Sequence, residues 1–173
     1  PYTERNIFKR LDTPRGRELA RIVDPFEYRD RLQQPKLMLL GSNDAFWTVD
    51  SSQLYYSQLK GPKAIYYLPN AGHKLGLGVL PTLNNFLVSV LEGKPFPELQ
   101  YKAEAGSLQV SWKKPALPVV WRADSANRDF REVEWRFESL PECDQTTVKL
   151  AAPEKGWGAC FVSVTFPGLR EGD

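Results

Sequence analysis

One histidine, one methionine and two cysteines are all that this 173-residue chain carries of those three residue types. Each scarcity excludes something. His73 is the sole imidazole, so no multi-histidine metal cage can be built. Cys143 and Cys160 match no zinc spacing and have no histidine near them. If the stretch between them turns back near Glu154–Gly156, Cys143 faces residues near Phe166 rather than Cys160, so two free thiols are expected over a disulfide. No apolar run approaches the roughly 18 residues that a membrane helix needs, and no signal peptide opens the sequence. The chain begins with Pro1, and Met38 lies inside an apolar run, so a piece of a longer protein is expected. Charge of one sign is lacking as well: the formal net charge is +2. That gives no nucleic-acid footprint and no polybasic membrane arm. The basic residues of the first thirty positions alternate with Glu4, Asp12, Glu18 and Asp24, as on a solvated helix face. Nothing calls for a cofactor or a metal.

What is present is ordinary globular composition, with 42 % hydrophobic and 25 % charged residues. Residues 1–14 show little periodicity and read as an extended lead-in. A short helix is expected over 16–23. Asp24-Pro25 then ends it and caps a second helical piece reaching to about Leu32. Two continuous apolar runs follow, Lys36–Gly41 and Ala64–Leu68. Runs without polar alternation predict strands buried on both faces, as in a parallel sheet covered by helices. Asp50 or Ser51 is placed to cap a helix between them through about Leu59, before Lys60-Gly61-Pro62. The whole then reads as a βαβ unit with parallel strands. Leu80, Leu83, Leu87, Val90 and Leu91 form a helical stripe.

Beyond Gly93-Lys94-Pro95-Phe96-Pro97 the pattern switches to alternation: Leu108, Val110, Trp112; Val133, Trp135, Phe137; Val148, Leu150; Cys160, Val162, Val164, Phe166. Turn signals at 106–107, 115–118, 125–127 and 153–158 separate these runs. About six short strands predict an immunoglobulin- or fibronectin-like β-sandwich. The expected organisation is therefore an α/β part over residues 1–97 and an all-β part over 98–173. Trp112, Trp121 and Trp135 suit its core better than a sugar-binding platform.

The chemistry sits in the two loops that follow the apolar runs. In a parallel sheet such loops emerge on the same rim, where ligands and catalytic groups of open sheets gather. Asp44 lies three residues beyond the first run and His73 five beyond the second. A histidine after a strand also serves structure, and an aspartate in Gly-Ser-Asn-Asp is also a turn former. Jointly, at successive strand ends, they suit an acid–base pair. The imidazole takes a proton from a serine hydroxyl, and the carboxylate fixes the ring's tautomer and stabilises the imidazolium. Asn43 and Asn70 suit turns that tolerate left-handed backbone. Ser42, Ser51 and Ser52 lie near Asp44, yet no Gly-x-Ser-x-Gly elbow surrounds any serine of the chain. Phe46 and Trp47, directly after the acid, are candidates for the wall of a substrate cleft, with packing under the loop as the alternative.

Several motifs in order carry a resemblance: Ile22-Val23-Asp24-Pro25, Tyr28-Arg29-Asp30-Arg31-Leu32, Pro35-Lys36-Leu37 through Gly41-Ser42-Asn43-Asp44, Phe46-Trp47, Asp50-Ser51, Lys63 to Tyr67, and Pro69-Asn70-Ala71-Gly72-His73. Further on come Trp121-Arg122-Ala123, Arg128-Asp129-Phe130-Arg131 and Gly156-Trp157. Together they resemble the C-terminal half of the PhoPQ-activated pathogenicity-related protein family, of the α/β-hydrolase superfamily. The resemblance implies the C-terminal part of an α/β-hydrolase parallel sheet followed by a β-domain. It implies Asp44 as the acid and His73 as the base, in the order serine, acid, histidine. The serine and a signal sequence would lie in an N-terminal hydrolase half of the same parent chain. It further implies export, secreted or periplasmic, and an undefined small-molecule or peptide substrate. The other reading is a secreted interaction or signalling protein that keeps the fold without turnover.

Overall fold

The computed structural model describes residues 3–166. Within them the chain forms two compact units: one takes the chain up to Lys36 together with Ser52–Lys63, the other Leu37–Ser51 with everything from Ala64 onward.

In the first unit the expected lead-in is helical. Helix α1 (Ile7–Leu11) precedes α2 (Pro14–Val23). The start of α2 is fixed by Thr13, whose Oγ1 accepts the Gly16 N–H at 3.1 Å, and by Pro14 in the first turn, where its missing N–H costs nothing. Asp24 caps as its position suggests, accepting the Phe26 N–H at 2.9 Å, but what it opens is a short 3₁₀ turn, Pro25–Tyr28. The helix expected before Leu59 is replaced by two 3₁₀ turns, Ser51–Leu54 and Tyr56–Gln58. Tyr55, at φ −138° and ψ −19°, interrupts the helical backbone between the two turns, and Leu59 is already extended. Instead Lys63 Nζ gathers the carbonyls of Tyr56, Ser57 and Leu59, at 2.9, 3.2 and 2.8 Å, which a continuing helix would have bonded internally.

The second unit holds strands β1 (Lys36–Gly41, of which Lys36 belongs to the first unit) and β2 (Lys63–Leu68, likewise Lys63), paired side by side and parallel in a two-stranded sheet. Helix α3 (Leu80–Leu91) follows. The remaining strands form one antiparallel system around β4 (Ser107–Ser125), a 19-residue strand. Its first half pairs with β3 (Gln100–Glu104) and β6 (Cys143–Lys149). After a register shift between Ser111 and Ala116, its second half pairs with β5 (Arg136–Ser139) and β7 (Trp157–Thr165).

This architecture corrects the expected fold class. Among the described residues there is no α/β-hydrolase parallel sheet followed by a sandwich of separate short strands; there are two parallel strands and a five-stranded antiparallel sheet. The residues of β1 and β2 are half-buried along nearly their whole length, not sealed between helices. The turn expected at 115–118 is absorbed into β4. Pro115 falls in the irregular stretch where no ladder N–H is required, so the strand bends without ending. The core lies on this bend: Val110, Trp112 and Ala116 are buried, with Leu108, Cys143, Val162, Val164 and Phe166 packed against them. Trp112 also donates Nε1–H to the Cys143 carbonyl at 2.9 Å, and Trp135 is 2 % exposed. Neither can serve an exposed sugar platform. Cys143 and Cys160 are free thiols, opposite Ala116 and Arg122 on β4 respectively.

Candidate functional site

Both loops that carry the predicted site residues leave the carboxyl ends of β1 and β2. Gly41 ends β1 because a side chain there has no room: a Cβ would stand 2.3 Å from the Ala71 carbonyl oxygen and 2.7 Å from that of Gly72. This close approach lets the Ser42 N–H reach the Leu68 carbonyl and the Asn43 N–H reach that of Ala71, both at 3.0 Å. The acid loop and the base loop are thereby laced together by backbone before any side chain is considered.

Asp44 is 5 % exposed, and its two oxygens have separate tasks. Oδ1 accepts the N–H groups of Phe46 at 2.7 Å and Trp47 at 3.0 Å. Oδ2 stands 3.0 Å from His73 Nδ1. Burial works against the carboxylate's charge. The Trp47 and Phe46 N–H groups, and then His73, outweigh it and hold the carboxyl below the ordinary range. The anion is thus the resting form. The His73 side chain is half exposed. With Nδ1 engaged by Asp44, Nε2 is left for an external partner. The Phe46 ring leans on the imidazole, centroids 4.9 Å apart, while Phe46 and Trp47 are themselves largely exposed. Such an arrangement can accept a proton at Nε2 and stabilise the resulting imidazolium from behind.

The depressed carboxyl has a measurable consequence. Asp44 binds its proton less readily folded than unfolded, so its contribution to stability is complete above the ordinary carboxylate value of 3.8 and is lost as pH falls through the lower folded value. Asp50 and Asp129 are lowered too, Asp129 to about 2 beside Arg131. Unfolding followed by tryptophan fluorescence between about pH 4 and pH 2 is therefore expected to show stability falling with acid. The fall should be shallower in Asp44→Asn than in wild type; equal slopes would show that Asp44 gains nothing from its partners.

Four residues that the sequence reading set aside belong to the same neighbourhood. Ser42, 1 % exposed, donates Oγ–H to Asn43 Oδ1 at 2.7 Å and accepts the Asn70 N–H at 2.8 Å. It is a structural hydroxyl, spent within the network. Asn43 and Asn70 do more than turn the chain, and only Asn70 has left-handed backbone, with φ of 56°. Asp50 does not cap a helix: it accepts from Thr48 Oγ1 at 3.1 Å and from Arg128 at 2.8 Å. An open cleft of about 240 Å³ lies beside Asp44, between Thr48, Asp50, Asn127, Arg128 and Phe130. His73 does not line it, so it is not where a substrate would meet the base. No group of three metal-ligating side chains occurs among the described residues.

Comparison with known proteins adds three findings. The family model of PhoPQ-activated pathogenicity-related protein matches residues 1–131. The chain is 27 % identical to autocrine proliferation repressor protein A of Dictyostelium discoideum, over an alignment covering 95 % of the chain and 40 % of that protein. It is 33 % identical to the uncharacterized protein YqkD of Bacillus subtilis (strain 168) over 61 residues, 35 % of the chain and 20 % of that protein. The chain thus spans well under half the length of either relative. No solved structure matches it.

Proposed function

The chain belongs to the PhoPQ-activated pathogenicity-related protein family, and on that premise we propose that Asp44 and His73 are the acid and base of a serine-hydrolase-type site. The observation that carries this reading is the 3.0 Å contact between a buried carboxylate and the Nδ1 of a half-exposed imidazole. In the proposed reaction His73 Nε2 takes the proton of an attacking hydroxyl as its oxygen bonds to an ester or amide carbonyl. The imidazolium then returns that proton to the departing alcohol or amine. Water repeats the sequence on the acyl intermediate. The attacking serine lies outside this chain, in the same parent protein; Ser42 is excluded by its burial and its two hydrogen bonds. Phe46, against the imidazole, and Trp47 line the approach of a small-molecule or peptide substrate. The parent is an exported protein, secreted or periplasmic.

A second reading has one observation in its favour: nearly the whole chain aligns with a protein named for repressing proliferation. In that reading this chain belongs to a secreted interaction or signalling protein without turnover, and residues 98–173 carry the binding surface. A single experiment separates the two. A fluorophosphonate probe is expected to label the full-length parent and to fail with His73→Ala. Labelling that survives the substitution removes His73 from the chemistry, and a wild-type parent that never labels favours the interaction reading.

A further inference from the structure

We infer that Asn43 and Asn70 are positioning residues: with Ser42 they fasten the acid loop and the base loop to the segment 130–135, so that the alignment of Asp44 with His73 depends on a part of the chain far along the sequence. The inference rests on the reading of Asp44 and His73 as a working pair.

The hydrogen bonds form one connected path. In the base loop, the Asn70 side chain pairs with both backbone groups of Trp135: Nδ2 donates to the carbonyl at 2.9 Å, and Oδ1 accepts the N–H at 2.7 Å. The amide thus mimics one rung of a strand pairing. Asn70's own N–H reaches Ser42 Oγ, and that hydroxyl donates to Asn43 Oδ1. In the acid loop, Asn43 Nδ2 shares its two hydrogens among the carbonyls of Phe130, Arg131 and Val133, at 3.2, 3.2 and 2.7 Å. Every one of these side-chain contacts to the 130–135 segment spans at least 65 residues of chain.

The far end of the path is packed. Trp135 is 2 % exposed and packs on Phe130 and, from β7, on Phe161, with ring centroids 5.9 and 5.0 Å apart. Segment 130–135 therefore inherits its place from the β4 sheet. The near end needs that support. His73 is half exposed and, among the described residues, is held by a single hydrogen bond and the Phe46 ring, so its direction is set by its loop. A constellation of this kind works only when its supporting groups are themselves locked. Asn suits both places. At position 70 it tolerates the left-handed backbone, and at both it offers donor and acceptor from one short side chain.

The tautomer of the pair can be read from long-range ¹H–¹⁵N correlations of the ¹⁵N-labelled full-length parent, in which the His73 signals are those that His73→Ala removes. The wild-type imidazole is expected to carry its proton on Nδ1, toward Asp44. In Asn43→Ala, and in Asn70→Gly, which keeps the left-handed backbone and removes only the side chain, the spectrum is expected to shift toward the Nε2–H form. The amide signals of β4 to β7 should stay in place. An imidazole unmoved in both folded variants overturns the inference, as does a wild-type ring already in the Nε2–H form. Should either variant fail to fold, Asn70→Asp carries the test, since it keeps an acceptor for the Trp135 N–H and replaces the donor by a carboxylate oxygen that repels the Trp135 carbonyl; an unmoved ring there is again fatal. A parent that never labels with fluorophosphonate, while the ring still follows Asn43 and Asn70, defeats the catalytic reading and leaves the positioning role standing.

Discussion

Asp44→Asn is expected to lower the rate of fluorophosphonate labelling of the full-length parent by about 10⁴-fold, the loss seen when the acid of such a triad becomes an amide. The fold should survive. Asparagine keeps an Oδ1 to accept the N–H groups of Phe46 and Trp47, so the acid loop retains the two bonds that shape it. What changes is the atom facing His73. Where Oδ2 accepts from Nδ1 at 3.0 Å, the variant presents an NH₂ group, a donor. Nδ1 must then accept, the ring proton moves to Nε2, and the nitrogen that should take the hydroxyl proton is already occupied. The buried site also loses the anion that would stabilise the imidazolium. A labelling rate within tenfold of wild type would mean that the 3.0 Å contact is an ordinary structural pairing.

The pair was legible because it depends on local information. Lys36–Gly41 and Ala64–Leu68 are apolar runs with clear stops, Gly41 and Pro69, and the structure places strands on those residues. Loops that follow parallel neighbouring strands lie close, whatever becomes of the rest of the sheet. The extent of the sheet was not legible, and the expected hydrolase-type parallel sheet is overturned for that reason. An apolar run says that a strand wants cover, and it does not say how many strands share that cover; among the described residues there are two.

The β region shows a different limit. Pro115 and Pro118 look like the end of a strand in sequence, yet β4 continues through both, since a proline ends a strand only where its N–H is needed. Whether it is needed depends on the registers of β6 and β7, which sit tens of residues away. Asn43 and Asn70 are illegible on similar grounds. An asparagine in a loop is by default a turn former, and only the position of segment 130–135 reveals the carbonyls and N–H that these amides serve.

A large effect on stability is expected at Gly41, a residue chosen for space and not for backbone freedom. Its φ is not left-handed, so alanine strains nothing locally. The added Cβ would meet the Ala71 carbonyl oxygen at 2.3 Å, the Ala71 carbonyl carbon at 2.9 Å and the Gly72 carbonyl oxygen at 2.7 Å. All three are backbone atoms, which no rotamer change can move aside. Gly41→Ala must therefore push the end of β1 away from the base loop, stretching the Ser42–Leu68 and Asn43–Ala71 hydrogen bonds that lace the two loops. Overpacking of this kind costs about 1–3 kcal/mol and occasionally more, and against rigid backbone the upper end is expected. Urea unfolding should show a lower midpoint with an unchanged slope. The same separation carries His73 away from Asp44, so the Nδ1–H tautomer should be lost in the protein that remains folded. Gly106→Ala is the control: nothing lies within 4 Å of its Cβ, and only its left-handed φ of 82° is strained. It should lose stability without disturbing the imidazole. A Gly41→Ala protein within about 0.5 kcal/mol of wild type would show that the two loops can part freely, and that their close approach does not set the acid against the base.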